Sequence, residues 1–135
     1  MKVLSCMQYL GNSSKRNQNL MLKRIYKICS KEEWDEAKKL NFFYGSAIDK
    51  RDGYLHFSSS KQVCKTAQLH FKGQESLILL EIRTDKLKIK WEKSRNDDFF
   101  PHLYSSLPLT EVTRVFTLNL DEYNNHIFPN WLNDD

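Results

Sequence analysis

The chain has 135 residues, of which 40% are hydrophobic, 13% aromatic and 28% charged, and its formal net charge is +4. This length and composition are typical of one soluble domain with a single core. They exclude a chain that is disordered throughout, a collagen and a small disulfide scaffold.

The positive charge is concentrated at the N-terminus. Residues 1–24 contain five basic residues and no acidic one, so the rest of the chain has 16 basic against 17 acidic residues and a net charge of −1. Residues 11–19 are rich in Asn, Ser and Gln and show no helical or strand period. We therefore predict a flexible basic arm over residues 1–22 and one globular domain over residues 23–135. Met21 is a second candidate start of the chain.

No stretch of the sequence approaches the roughly 18 consecutive apolar residues of a membrane-spanning helix, so we expect no membrane partner. The three cysteines, Cys6, Cys29 and Cys64, are odd in number and widely spaced, and they lack the paired spacing of a metal site. This pattern is typical of thiols in a reducing compartment. We therefore expect a cytoplasmic location.

The first predicted elements are a strand and a helix. Residues 25–29 alternate β-prone side chains and predict the strand. Ser30 and Glu33 then form a capping-box pattern at the start of the helix. We expect this helix to end near Leu40 and to place Trp34 on its core side.

Two turns and a second strand are predicted next. Gly45-Ser46 and Asp52-Gly53 are residue pairs typical of turns. Residues 54–58 alternate again, and strand geometry puts side chains two positions apart on the same face. One face of this strand is therefore expected to present Tyr54, His56 and Ser58.

A second helix and three further strands follow. Ser59 and Gln62 repeat the capping pattern, and apolar residues then recur at helical spacing until Gly73. Residues 77–82 are almost continuously apolar, which predicts a central strand covered on both sides. The remaining strands are predicted over residues 87–92 and 112–118.

The order of the predicted elements decides the fold class. Strand, helix, strand and helix are followed by a run of strands, so the regular alternation of a doubly wound parallel sheet does not continue. We predict an α+β domain in which two helices pack against a largely antiparallel sheet.

Two histidines and one glutamate are the main candidates for chemistry. His56 lies in mid-strand between large apolar residues, where it forms either a core hydrogen bond or one wall of a cleft. His102, fixed between a proline and a leucine, has the same two interpretations. Glu92 follows Trp91 at a strand end. Either the neighbouring Trp91 ring raises the pKa of the carboxyl group, or the carboxyl group faces water.

The same three residues could form a metal site with two imidazoles and one carboxylate. None of them has the helical or hairpin spacing of metal ligands, so we predict no metal site. The sequence also lacks a glycine-rich phosphate loop and the common catalytic motifs. No motif therefore identifies a reaction.

A nucleic-acid surface is suggested by alternating lysines. Lys86, Lys88 and Lys90 share one face of a predicted strand, which is typical either of such a surface or of an edge strand protected against aggregation. Because the body of the domain has a net charge of −1, nucleic acid is not expected as a partner.

Short segments along the chain together carry a resemblance. They are Ile25-Tyr26-Lys27-Ile28, Glu33-Trp34, Gly45-Ser46 with Ile48-Asp49, Asp52 to Ser58 with Gln62, Leu79-Leu80, Trp91-Glu92, and Phe100 to Tyr104 with Leu107-Pro108. In this order, from about Ile25 to Leu118, they resemble a small bacterial family of domains of unknown function. The fold of that family is grouped with the ADP-ribosyltransferase-like superfamily. The resemblance implies a split antiparallel α+β fold that binds NAD in a cleft.

The resemblance also implies roles for particular residues. The superfamily holds the nicotinamide ribose with polar residues of early strands, and many members use a late glutamate in ribosyl transfer. His56 and Ser58 match the early-strand position, and Glu92 or His102 would lie near the reacting ribose. The implied catalytic residues are His56 and Glu92, and the implied ligand-binding residues are Tyr26, Ser46, Ser58, Gln62, His102 and Tyr104.

The expected ligand is therefore NAD, ADP-ribose or a related nucleotide, with NAD as ligand or substrate. The alternative is a noncatalytic module that binds a small ligand or a protein on the same fold.

Overall fold

The computed structural model describes residues 3–5 and 23–134 of the chain. Within these residues the chain forms ten strands and three α-helices. The strands are β1 (Val3–Ser5), β2 (Arg24–Ser30), β3 (Phe42–Phe43), β4 (Leu55–His56), β5 (Leu77–Arg83), β6 (Ile89–Lys93), β7 (Phe99–Leu103), β8 (Leu107–Pro108), β9 (Val112–Leu120) and β10 (His126–Pro129). The helices are α1 (Lys31–Leu40), α2 (Ala47–Asp52) and α3 (Val63–His70).

The strands form three sheets, and every strand pair among the described residues is antiparallel. The largest sheet has five strands in the order β1-β10-β9-β5-β2. A second sheet has the order β4-β7-β6, and β3 pairs with β8. The predicted α+β class with a largely antiparallel sheet is therefore confirmed.

The five-stranded sheet separates two hydrophobic clusters, because alternate residues of its strands point to opposite faces. Tyr26 and Ile28 of β2 pack with α3 in one cluster. Ile25 and Cys29, on the other face, pack with α1 and with apolar residues of the two smaller sheets. Strand β5 is buried along residues 77–82, as its continuous apolar sequence predicts.

The prediction of two helices is wrong, because the structure contains a third helix, α2, between the two predicted turns. Ser46 and Asp49 form a capping box at its start, and Gly53 ends it with a φ of 89°. The helix has only 6 residues, so the turn-forming pairs at its two ends dominate the sequence pattern and conceal it.

The strand predicted over residues 54–58 is shorter than expected. Only Leu55 and His56 pair with β7, and Ser58 instead exchanges two backbone hydrogen bonds of 2.8 Å with Tyr26. The Phe57 backbone N–H still donates to the Pro101 carbonyl of β7 at 3.0 Å, and the chain then leaves the three-stranded sheet and joins the edge of β2. This crossing connects the two sheets through one short segment.

The N-terminal arm was predicted over residues 1–22. Its residues Val3–Ser5 form β1, which pairs with β10 at the edge of the large sheet. The rest of the predicted arm, including Met21, lies outside the described residues.

The expectation that all three cysteines are thiols is wrong at Cys64, which is disulfide-bonded. Cys29 is a buried free thiol, and burial raises its pKa to about 12. The cytoplasmic location stays a prediction. No helix in the described part of the chain is long and apolar enough to cross a membrane.

Leu80→Ala tests the central position of β5. Leu80 is fully buried, so its truncation is expected to lower the free energy of unfolding by about 2–5 kcal/mol, measured by urea denaturation. Val115, its partner across the strand pair on β9, is 48% exposed and provides the control. Val115→Ala should cost less than about 1 kcal/mol. Equal losses for the two variants would contradict the placement of β5 in the core.

Candidate functional site

Four aromatic rings meet where β4 pairs with β7. His56 lies directly opposite His102 in the strand register, and their ring centroids are 5.4 Å apart. The Tyr54 ring is 4.6 Å from His56, 4.3 Å from His102 and 5.0 Å from Tyr104. We call these four side chains, Tyr54, His56, His102 and Tyr104, the aromatic cluster.

Glu92 of β6 joins the aromatic cluster through one carboxylate oxygen. Its Oε1 accepts hydrogen bonds from the Tyr104 hydroxyl and from His102 Nδ1, each at 2.8 Å. Because both bonds favour the ionised acid, they lower the pKa of Glu92. The bond from Tyr104 to Glu92 raises the tyrosine pKa to about 12. A glutamate with a raised pKa, one of the two interpretations of the sequence, is therefore not what the structure contains.

His102 is the most buried member of the aromatic cluster, with 4% of its side chain exposed. Burial lowers its pKa and outweighs the raising effect of the hydrogen bond to Glu92, and the neighbouring His56 lowers it further. The neutral ring donates from Nδ1 to the ionised Glu92, so Nε2 carries the lone pair.

The Nε2 atom of His102 has no hydrogen-bond partner among the described residues, since only Nδ1 of this ring is bonded. In the same part of the chain, no buried side-chain nitrogen or oxygen lacks a partner. The Nε2 atom therefore reaches the surface. A basic nitrogen is thus available to a ligand, while a carboxylate fixes the other side of the ring.

His56 is held on both sides by carboxylates. Its Nδ1 is 2.7 Å from Asp49 Oδ1, and its Nε2 is 3.0 Å from Asp52 Oδ2. Both ring nitrogens can donate together only when the imidazole is protonated. Unlike His102, His56 has no free ring nitrogen to offer a ligand.

Asp49 is buried at the base of the site, and its carboxylate bonds to three other residues. Its Oδ1 accepts from the backbone and ring of His56, and its Oδ2 accepts from the backbone of Ser46. Its Oδ2 also lies 2.9 Å from Lys27 Nζ of β2. Burial raises the pKa of Asp49, but the His56 hydrogen bond and the Lys27 charge outweigh it and hold this pKa far below the usual range.

Lys27 is itself only 5% exposed. A lysine is rarely buried to this extent unless it is paired, and the Asp49 carboxylate is its partner here. Its ammonium donates to the backbone oxygen of His56 at 2.7 Å. It also lies 5.6 Å from the ring centroid of Phe43 and 5.4 Å from that of Phe57. Two oxygen acceptors and two aromatic faces thus compensate the buried charge.

The structure brings together four of the predicted site residues, namely His56, Glu92, His102 and Tyr104. Ser46 contributes indirectly, because its hydroxyl caps α2 and helps to fix Asp49. Ser58 and Gln62 lie further along, where α3 meets β7: Ser58 bonds to Thr66 at 3.0 Å, and the Gln62 amide donates to the Phe99 carbonyl at 2.7 Å.

Tyr26 is not brought to the aromatic cluster. Its side chain is fully buried in the hydrophobic cluster on the α3 side of the large sheet. Its hydroxyl donates to Glu81 at 3.1 Å, within the same sheet. Tyr26 therefore lies apart from the aromatic cluster, and its predicted contact with a ligand stays a prediction.

Four important residues of the site were not predicted, namely Lys27, Asp49, Asp52 and Tyr54. Asp49 could have been found from the Ser46-x-x-Asp49 spacing, which is the pattern of a capping box. Lys27 could have been found as a charge between buried neighbours in a strand, since such a lysine needs a partner. Among the described residues, no group of three His, Cys, Asp or Glu side chains is placed to hold a metal ion.

Lys27→Met should lower the free energy of unfolding by about 3–5 kcal/mol, because it leaves the buried Asp49 charge without its partner. Urea denaturation measures the loss. The double variant Lys27→Met/Asp49→Leu should regain much of it, since it removes both charges. Lys50→Met, at an exposed position of α2, is the control and should cost less than about 1 kcal/mol. Equal losses for Lys27→Met and Lys50→Met would contradict the buried pair.

Asp49 also makes a prediction about pH. Its folded-state pKa is lowered, so its contribution to stability is fully present above the unfolded-state value of about 3.9 and is lost as the pH falls below it. The difference in unfolding free energy between wild type and Asp49→Asn should therefore be constant from pH 7 to 5 and shrink below about pH 4. A difference that stays unchanged down to pH 2.5 would show that Asp49 titrates normally.

Comparison with known proteins places the chain in a family. It matches the family model described as "Protein of unknown function (DUF952)" over residues 28–115. It is similar to the crystal structure of protein CC0527 from Caulobacter crescentus, with 45% identity and a TM-score of 0.74, over 76% of this chain and 92% of that chain. The solution NMR structure of the same bacterial protein gives 41% identity and a TM-score of 0.71, over 84% and 97% of the two chains.

None of the curated proteins matches this sequence. The family model nevertheless covers more than half of the chain, and the similar structures cover three quarters of it or more at over 40% identity. This chain therefore belongs to the family of proteins of unknown function called DUF952.

Proposed function

We propose that the aromatic cluster and Glu92 bind a nucleotide-like ligand, NAD or ADP-ribose, and that ribosyl transfer is the reaction. The observation that carries the proposal is the pair formed by Glu92 and His102, which leaves the Nε2 lone pair of a neutral imidazole at the surface. The ligand class rests on the grouping of the resembled family's fold with the ADP-ribosyltransferase-like superfamily.

The rings of the aromatic cluster suit a planar base. Tyr104 is 50% exposed, and the ring of Tyr54 packs against both histidines and Tyr104. Nicotinamide and adenine stack on such rings, which supply apolar area with little loss of side-chain entropy. The hydroxyl of Tyr54 forms no hydrogen bond within the described part of the protein and can bond to a ligand.

The carboxylates suit the charge that develops in ribosyl transfer. The transition state at the ribose is similar to an oxocarbenium ion and carries positive charge. Glu92 has a lowered pKa, so it is ionised at neutral pH, and 39% of its side chain is exposed. Preorganised negative charge of this kind stabilises a cationic transition state more strongly than water does.

The proposed step assigns the proton to His102. The bond between the nicotinamide nitrogen and the ribose C1′ breaks, and nicotinamide leaves with the electron pair. The oxygen of water or of an acceptor hydroxyl bonds to C1′, and its proton passes to His102 Nε2. His56, which both Asp49 and Asp52 hold, acts as a positioning residue that packs against His102.

A noncatalytic ligand-binding module is the second candidate. It is favoured by the fact that Glu92 Oε1 already accepts two hydrogen bonds within the protein, and that both ring nitrogens of His56 are bonded. In this case the same surface binds ADP-ribose, but NAD is not cleaved.

Glu92→Gln separates binding from chemistry, because it removes the charge and keeps the shape. We expect the wild type to bind ADP-ribose in isothermal titration calorimetry and to release nicotinamide from NAD in a chromatographic assay. The variant should release nicotinamide at least about 100-fold more slowly, since an electrostatic contribution of this kind changes the rate by about 10²–10³.

Glu32→Gln, at an exposed position of α1, removes the same charge outside the aromatic cluster and should leave both measurements unchanged. A wild type that binds neither NAD nor ADP-ribose at millimolar concentration would refute the proposal. Binding of ADP-ribose without any release of nicotinamide would favour the noncatalytic module.

A further inference from the structure

Arg95 lies in the connection between β6 and β7, and its guanidinium is half-buried. The guanidinium carbon lies 4.7 Å from the centroid of the Phe100 ring. Its Nη2 donates to Thr66 Oγ1 of α3 at 3.4 Å, which is a long hydrogen bond. The protein therefore covers one face of the guanidinium and uses one N–H at its edge.

Most of the hydrogen-bonding capacity of Arg95 is unused within the described residues. A guanidinium has five N–H donors, and the bond to Thr66 uses one of them. No carboxylate among the described residues forms an ion pair with Arg95. Burial lowers its pKa, and the charge of Asp98 only partly opposes this effect. A partly desolvated cation of this kind gains from an anion at its free edge.

A pair of hydroxyls fixes the orientation of the guanidinium. Ser58 Oγ and Thr66 Oγ1 are 3.0 Å apart, and Thr66 is also bonded to the Gln62 carbonyl at 3.2 Å. Thr66 is thereby held on α3 in the position that accepts the Arg95 N–H. The contact with the Phe100 ring and this bond together restrain one face and one edge of the guanidinium.

Arg95 and the aromatic cluster lie along the same face of β7. Phe100, beneath the guanidinium, and His102 are two residues apart, so their side chains point to one face about 7 Å apart. Glu92 is opposite Phe100 in the strand register, but its carboxylate bonds to His102 and Tyr104. The Glu92 carboxylate therefore lies at the histidine end of this face, where Lys90 Nζ is 5.0 Å from the Tyr104 ring centroid, and the Arg95 guanidinium lies at the other end.

We propose that Arg95 forms a phosphate subsite on this face and binds phosphoryl oxygens through the free edge of its guanidinium. The planar fork of an arginine matches two oxygens of a phosphate. The identification of the bound group as the diphosphate of NAD or ADP-ribose rests on the proposed function. The subsite itself depends only on Arg95, Thr66 and Phe100. A ligand that spans both ends would place its ribose at His102 and Glu92 and its diphosphate at Arg95.

Arg95→Gln and Arg95→Lys test the subsite by isothermal titration calorimetry with inorganic pyrophosphate, ADP-ribose and adenosine. In Arg95→Gln, the affinities for pyrophosphate and ADP-ribose should fall about tenfold or more, because charge-assisted hydrogen bonds are lost. Adenosine, which has no phosphate, should bind with unchanged affinity. Arg95→Lys keeps the charge without the fork and should lie between wild type and Arg95→Gln.

Lys93→Gln, at an exposed position two residues earlier, removes one positive charge without the stacked guanidinium and is the matched control. It should change the affinities less than about twofold. In the wild type, the Arg95 Nε–H resonance should shift in NMR spectra as pyrophosphate is added, and this measurement does not depend on the folding of a variant.

The outcomes separate the two proposals. Pyrophosphate binding that depends on Arg95, without binding of ADP-ribose, supports the subsite and refutes the nucleotide ligand. ADP-ribose binding that is equal in wild type and Arg95→Gln supports the nucleotide ligand and refutes the subsite. The absence of pyrophosphate binding and of any shift of the Arg95 resonance also refutes the subsite.

Discussion

Lys27 on β2 and Asp49 on α2 are both buried, and the ion pair between them joins the large sheet to the candidate site. Removing either partner leaves a charge in an apolar environment, so each residue requires the other. The pair also fixes three atoms of His56, because Lys27 bonds to its carbonyl, and Asp49 bonds to its backbone N–H and to its ring. The orientation of this histidine, and through it the packing of the aromatic cluster, depends on a contact made inside the core.

Strand register completes the arrangement. The pairing of β4 with β7 places His56 opposite His102, and the pairing of β6 with β7 brings Glu92 within reach of His102 Nδ1. A shift of one residue in either pair would turn one of these side chains to the apolar face. Leu55 and Leu103, which pair on that face and are buried, oppose such a shift. Burial of apolar residues on one face therefore fixes the polar geometry on the other.

The parts of the fold that the sequence predicts are those set by local patterns. The capping box at Ser30 and the apolar run of β5 depend on neighbours in the chain, and both are found in the structure. The alternation near His56 is also local, and its strand is found over Leu55 and His56. The pairing of Lys27 with Asp49 depends on residues 22 positions apart, and spacing alone does not reveal it. Tyr26 is the converse case, because a resemblance identifies the residue without showing which face of the sheet it occupies.

The charged groups at the two ends of the polar network differ in exposure, and this difference separates stability from chemistry. Asp49 is 2% exposed at the inner end, His56 is 32% exposed, and Glu92 is 39% exposed at the outer end. Charges at the inner end are fully compensated within the protein, so they hold the structure and have little capacity left for a ligand. Within the part of the chain that the structure describes, His102 Nε2 and the edge of Arg95 retain unused hydrogen-bonding capacity. A ligand that is recognised by this surface must therefore accept hydrogen bonds at one end and donate one at the other, as a phosphorylated sugar does.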